Sequence, residues 1–218
     1  MSLRIVVLAK QVPDTRNVGK DAMTAEGTVN RSALPAIFNP EDLNALEQAL
    51  RLKDQHPGST VTLLTMGPGR AASIIREGLF RGADNGYLLT DRAFAGADTL
   101  ATSYALSMAI RKIKDYDIII GGRQAIDGDT AQVGPQIAEK LEIPQVSYVA
   151  DIQKDGIEYI IIKNHKVAYK TSDLSVKEIM AKHDSFKIEN GKIFSEEIPE
   201  NNCKKHKHNR YHTCRAIC

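Results

Sequence analysis

Apolar positions in the first 150 residues fall into short runs, and the spacing between them alternates between two periods. Leu3–Ala9, Thr60–Met66, Tyr87–Leu89, Asp117–Ile120 and Gln145–Val149 are runs of strand length. Runs that are apolar on both faces suit parallel strands covered by helices on each side. The segments between them carry apolar residues at helical spacing. Asn39-Pro40-Glu41 predicts a helix start, with Asn39 at the N-cap, Pro40 at the first position, and Glu41 and Asp42 complementing the dipole. Leu43, Leu46 and Leu50 follow, and Pro57-Gly58 ends that helix. Ala71–Arg81 predicts a second helix with Ile74, Ile75, Leu79 and Phe80 turned inward. Asp98 caps a third, running to about Lys112, with Leu100, Tyr104, Leu106 and Ile110 expected in the core. Thr130–Leu141 predicts a fourth. The polar stretch Gln11–Ser32 reads as a long loop with room for a hairpin.

Strand and helix in alternation require parallel strands joined by helical crossovers. The expected fold class is therefore α/β: a doubly wound, mostly parallel, Rossmann-like sheet of the adenine-nucleotide-binding kind. After Ala150 the pattern changes. Ile157–Lys163 and Lys166–Tyr169 predict an antiparallel pair around Asn164-His165, and Ser175–His183 predicts a helix. Residues 184–218 show little periodicity and are expected to pack loosely. The expected organisation is a nucleotide-binding domain over 1–150, a β-hairpin and helix extension over 151–183, and a basic tail over 184–218.

Composition adds exclusions. Hydrophobic residues make up 42% and charged residues 26%, ordinary for a globular protein. No apolar run approaches the ~20 residues of a membrane helix, and the apolar part of the N-terminus is short for a signal peptide. The expected location is the cytoplasm, without membrane insertion. The net charge of +2 is a tail property, because residues 201–218 hold Lys204, Lys205, Lys207, Arg210 and Arg215 and no acid. The remainder is mildly acidic, which argues against a nucleic-acid partner. Cys203, Cys214 and Cys218 also lie in the tail, so the body has neither disulfide nor thiol chemistry. The tail's Cys and His residues fall at short spacing, but no clear set of four ligands stands out, and no metal site is assigned.

The candidate chemistry sits at strand ends. Three loops leave the carboxyl ends of predicted strands: Ala9-Lys10-Gln11-Val12-Pro13-Asp14-Thr15, Met66-Gly67-Pro68-Gly69, and Gly121–Pro135. Ligands of open α/β sheets bind at that edge. In the third loop two glycines permit close backbone approach, and the following helix start offers free N–H groups to a phosphate. Singly, each piece has a plainer use: Asn39 and Asp129 as helix caps, Pro13-Asp14 and Gly67-Pro68-Gly69 as turns, Arg123 as a surface ion pair.

Taken together, the Ala9–Thr15 loop, Asn39-Pro40-Glu41-Asp42, Met66-Gly67-Pro68, Arg81-Gly82-Ala83-Asp84 and the whole Gly121–Pro135 segment resemble the β subunit of electron transfer flavoprotein over residues 1–150. The resemblance implies an electron carrier that works with an α subunit. It implies FAD in this chain, or AMP as the alternative, in which case redox chemistry belongs to the α subunit alone. The Val12-Pro13-Asp14-Thr15 loop is similar to the bifurcating branch and implies a loop facing NADH as donor. The implied acceptors are an acyl-CoA dehydrogenase-type flavoenzyme and ferredoxin or flavodoxin.

By position, the resemblance puts the adenosine end against Ala9, Lys10, Asn39, Thr65 and Met66. The phosphates meet Asp129, Thr130, Ala131, Gln132 and Val133. Gly121 and Gly122 lie close to ring or ribose, with Arg123 near the flavin. Asp127 and Asp129 suit ribose hydroxyls or backbone N–H groups better than phosphate. No residue is assigned a catalytic role. An adenylate-forming or pyrophosphatase enzyme of similar architecture calls for a Ser-Gly-Gly-type loop after the first strand, where this chain has Lys10-Gln11-Val12-Pro13. From about residue 164 the chain departs from the family, whose members run longer. Asn201–Cys218 in particular looks foreign, as expected of a truncated or frame-shifted end or of a lineage variation.

Overall fold

The fold is taken from a computed structural model. The structure describes residues 2–14, 27, 34–155 and 160–163, with the backbone alone at 158–159, 166–171, 186–189 and 192–195. The predicted helix at Ser175–His183, the turn at Asn164-His165 and the Cys/His tail lie outside the described residues.

Four strands build the central sheet: β1 (Arg4–Leu8), β4 (Thr60–Met66), β5 (Asn85–Leu89) and β6 (Ile118–Gly121). All are parallel, in the order β5-β4-β1-β6. Two short strands, β2 (Gln11–Pro13) and β3 (Ala36–Phe38), pair antiparallel, the second of them beyond the Gln11–Ser32 stretch expected to hold a hairpin. Helices α1 (Pro40–Gln55), α2 (Ala72–Arg81), α3 (Thr99–Ile113) and α4 (Val133–Leu141) cover the sheet. Strands β7 (Asp151–Asp155), β8 (Glu158–Lys163) and β9 (Lys166–Thr171) make an antiparallel sheet, and β10 (Phe186–Glu189) pairs with β11 (Lys192–Ser195).

Side chains alternate across the central sheet and feed two cores. Ile5, Val7, Leu63, Ile118 and Ile120 pack with Ala45, Leu46, Ala49 and Leu52 of α1. Val6, Leu64 and Ile119 pack with Leu106 and Ile110 of α3 and Ile137 and Ala138 of α4. Burial on both faces is why Ile118–Ile120 reads as an unbroken apolar run; each such side chain stabilises by roughly 1.5–3 kcal/mol relative to exposure. Ile152 and Ile161 join the first core, and Gln48 of α1 donates to the Ile152 carbonyl at 2.9 Å, so the 151–163 hairpin packs on α1.

Several expectations are corrected. In α2 only Ile74 and Gly78 are buried, whereas Phe80 is 91% exposed and Leu79 is partly exposed. A Cβ at Gly78 would collide with Leu63, so the helix presses a glycine, not a large side chain, onto the sheet. Leu100 and Tyr104 of α3 are exposed, because Ser103, Leu106, Ser107 and Ile110 form the buried face. Helix α4 starts at Val133 and not at Thr130, since Ala131 has φ +52°, outside helical space. Gln145–Val149 is not a strand; Tyr148 at φ +59° breaks any extension there, and the strand forms at Asp151 instead. No described helix is long and apolar enough to cross a membrane.

Candidate functional site

Strand order creates the site. The chain runs from β1 outward to β4 and β5, then returns to place β6 on the other side of β1. Crossovers therefore diverge between β1 and β6, and a crevice opens beyond their carboxyl ends. A cleft of about 1070 Å³ lies there, walled by Ala9 and Lys10 after β1, Met66 of β4, Gly121–Ala125 after β6, the 128–135 segment, α1, and 145–152.

One wall is the first turn of α1. Asn39 stands at the N-cap position but makes no side-chain cap bond. It is fully buried, donates Nδ2 to the Gln124 carbonyl at 2.9 Å, and accepts from the Ile126 N–H at 3.2 Å. Glu41 accepts from the Gln124 N–H at 3.1 Å and from Arg123 Nη2 at 3.0 Å. Asp42 accepts from the Lys10 N–H at 2.8 Å and from the Gly122 N–H at 3.1 Å, joining the two loops that flank the cleft. Burial pushes the Asp42 carboxyl up to about 7, opposed by hydrogen bonds from Asn39, Lys10 and Gly122 and by the Lys10 charge. A Cβ on Gly122 would fall 2.7 Å from the Glu41 carbonyl carbon and 2.8 Å from the Asp42 nitrogen, as well as against the Asp42 carboxylate. Only glycine lets α1 approach this closely.

The opposite wall is built differently. Asp129 and Ala131 hold φ of +50° and +52°, a region that costs most side chains energy. Alternating backbone of this kind turns N–H groups towards a common concavity, just before the N-terminus of α4. The Asp129 carboxylate accepts from Gln124 Nε2 at 2.8 Å, and Thr99 of α3 donates to Gln132 Oε1 at 3.1 Å. Lys10 Nζ bonds Asp127 Oδ1 at 2.7 Å; the Asp127 side chain is 1% exposed while Lys10 remains half exposed. Tyr148 completes the rim, 61% exposed, with the Arg123 guanidinium 5.8 Å from its ring centroid.

Of the residues expected from sequence, Ala9, Lys10, Met66, Gly121, Gly122, Arg123, Asp129, Thr130, Ala131, Gln132 and Val133 line this one cleft. Asn39 and Thr65 are fully buried behind it, and the Thr65 hydroxyl has no hydrogen-bond partner among the described residues. Arg123 forks onto Glu41, whose hydrogen bond and charge raise the guanidinium pKa. Val12 and Pro13 are buried in the β2–β3 hairpin, Asp14 donates its N–H to the Pro35 carbonyl at 2.7 Å, and none of the three is on the cleft wall. Thr15 lies outside the described residues. Glu41, Asp42 and Tyr148 are among the wall residues not expected as site residues. Glu41 and Asp42 read as helix-dipole acids, and Tyr148 sat inside an apparent strand. No group of three or more metal-ligating side chains occurs among the described residues.

Residues 26–172 match the family model of the electron transfer flavoprotein domain. The caffeyl-CoA reductase-Etf complex subunit CarD of Acetobacterium woodii is 50% identical over 174 residues, covering 80% of this chain and 66% of that protein. The electron transfer flavoprotein subunit beta of Thermoanaerobacterium thermosaccharolyticum is 56% identical over 159 residues, 73% of this chain and 60% of that one. The acryloyl-CoA reductase electron transfer subunit gamma of Anaerotignum propionicum is 55% identical over 163 residues, 74% and 60% respectively. The chain thus spans 60–66% of the length of these relatives.

Proposed function

We propose, because this chain belongs to the electron transfer flavoprotein family, that its cleft holds an adenine-containing cofactor and that the chain serves as a β-type subunit in electron transfer. The observation that carries this reading is the position of the cleft: it opens at the β1/β6 switch point, where the Lys10 loop, the Gly121–Val133 segment and the α4 N-terminus converge. FAD is the favoured occupant. At about 1070 Å³ the cleft is at the upper end of ligand sites, roughly 300–1,000 Å³, which suits a dinucleotide better than a mononucleotide. Bound there, a flavin supplies the electron-carrying chemistry, and the protein supplies placement and electrostatics.

The chain's own groups fit that cofactor. Both cations on the cleft wall after β1 and β6 are already paired, Lys10 with Asp127 and Arg123 with Glu41. Phosphate recognition then falls to backbone N–H groups of 130–133, aided by the Thr130 hydroxyl, while the Asp129 N–H is held by the Ala125 carbonyl at 2.9 Å. Gly121 and Gly122 let a ring or ribose lie against main chain, and Tyr148 offers an aromatic face at the rim. The wider assembly follows the same reading: an α subunit carrying its own FAD, NADH as donor, and an acyl-CoA dehydrogenase-type flavoenzyme and ferredoxin or flavodoxin as acceptors, in the cytoplasm. The names of the CarD and acryloyl-CoA reductase relatives, which place those proteins in reductase and electron transfer complexes, support a partner subunit.

The alternative is AMP held structurally, with redox chemistry only in the α subunit. Co-expression with an α subunit, followed by cofactor extraction, separates the two. Two FAD per heterodimer, with absorbance bleached by NADH, is the expected result. One FAD plus one AMP would replace this reading with the alternative, and neither nucleotide in the β site would overturn both.

A further inference from the structure

The cleft wall contains a titratable group that binding a cofactor does not itself require. Asp42 is buried in the first turn of α1, yet each carboxylate oxygen takes an N–H from a different loop, Lys10 on one side and Gly122 on the other. These amides follow β1 and β6, the two strands whose ends define the cleft. We propose that Asp42 is a proton-operated latch: as a carboxylate it ties the β1 and β6 loops at a fixed spacing, and taking up one proton releases one of them.

The chemistry follows from the donor count. A carboxylate is acceptor-only and satisfies both loop amides at once, along with the Asn39 side chain beside it. A proton drawn from solvent through the cleft, which Asp42 lines, forms an O–H bond on one oxygen. That oxygen then carries a donor facing an N–H donor, so one of the two loop bonds is lost. Burial brings the ionisation close to neutrality, within reach of ordinary changes of pH. The surrounding charges are spoken for: Lys10 Nζ holds Asp127, Arg123 holds Glu41, and Asp129 accepts from Gln124. Of these, Lys10 is the charge that favours the ionised latch. Coupling to a nucleotide rests on the function proposed above, whereas the latch itself stands on the two hydrogen bonds.

The test uses the full 218-residue chain, wild type and Asp42→Asn, at pH 8 and pH 6. Amide hydrogen exchange, corrected for intrinsic rates, is read at Lys10 and Gly122. FAD affinity is read by calorimetry, because its diphosphate does not titrate in this range. The wild type should protect both amides at pH 8 and lose protection at one of them at pH 6. Its FAD affinity should fall about tenfold over the same interval, the scale of one charge-assisted hydrogen bond. Asp42→Asn should resemble the pH 6 state at both pH values. Equal protection of both amides at pH 8 and pH 6 in the wild type overturns the latch, with no need of the variant. Wild-type pH dependence surviving in Asp42→Asn overturns it as well. If FAD does not bind at any pH, the proposed function fails, while amide exchange still decides the latch.

Discussion

The two walls of the cleft solve opposite problems. The α1 wall is a buried polar frame: Asn39, Glu41 and Asp42 meet backbone groups of Lys10, Gly122, Gln124 and Ile126, leaving little room for adjustment. The facing wall is strained and more open, with positive φ at Asp129, Ala131 and Tyr148. The frame fixes where the loops start, and the strained wall carries the chain along the cleft to the start of α4. Precision comes from satisfied buried hydrogen bonds, and ligand-facing donors come from backbone left outside regular structure.

Breaking the frame should have the largest effect. Gly122→Ala drives a methyl group into the Glu41–Asp42 backbone, and overpacking of this kind costs about 1–3 kcal/mol or more. Urea unfolding should show that loss, and FAD binding should disappear with it. Asn39→Ala leaves the Gln124 carbonyl and the Ile126 N–H without their partner, a cost of about 1–3 kcal/mol. A loss below about 0.5 kcal/mol in the same assay would show that Asn39 is only a cap position.

Asp42 gives the comparison a pH signature. Its folded pKa is raised, so between about 4 and 7 the folded state binds more protons than the unfolded state, and this group's contribution to stability falls as pH rises. The wild type measured against Asp42→Asn should therefore lose roughly 2–3 kcal/mol in relative stability from pH 5 to pH 8. That slope is opposite to that of an ordinary salt-bridged aspartate, and a relative gain over this interval would contradict it. The smallest effect belongs to the strained wall. Ala131→Gly relieves a left-handed alanine and should leave stability unchanged or raise it by up to about 1 kcal/mol, while FAD affinity drops because the turn becomes less fixed.

Local signals carried the architecture. Thr60–Met66 forms a strand with the boundaries its pattern predicts, and Pro40 marks the first residue of α1. Much of the cleft lining was legible too, since the glycines and polar residues after β1 and β6 that stand out in the sequence fall on its wall. What failed was assigning faces. Counting apolar residues turned Phe80 and Tyr104 inward, yet close packing of α2 and α3 uses Gly78, Ser103 and Ser107. Small residues bury little area and leave little trace in a hydrophobic pattern. The frame was illegible for another reason. Asn39 and Asp42 look like ordinary N-terminal helix residues, and their partners lie up to 87 residues away, at distances local patterning does not reach.

The central position of β1 also orders events as the chain is made. β1 can pair with β4 as soon as Thr60–Met66 has emerged, but its other edge stays open until Ile118–Gly121 arrives. Until then Asn39 and Glu41 lack their loop partners, Asp42 holds only the Lys10 amide, and the cleft does not exist. Growing chains therefore pass through an interval with a bare parallel edge and unanswered polar groups on α1. Completion of the sheet also precedes completion of the cleft, whose walls at 128–135 and 145–152 follow the last central strand in the chain.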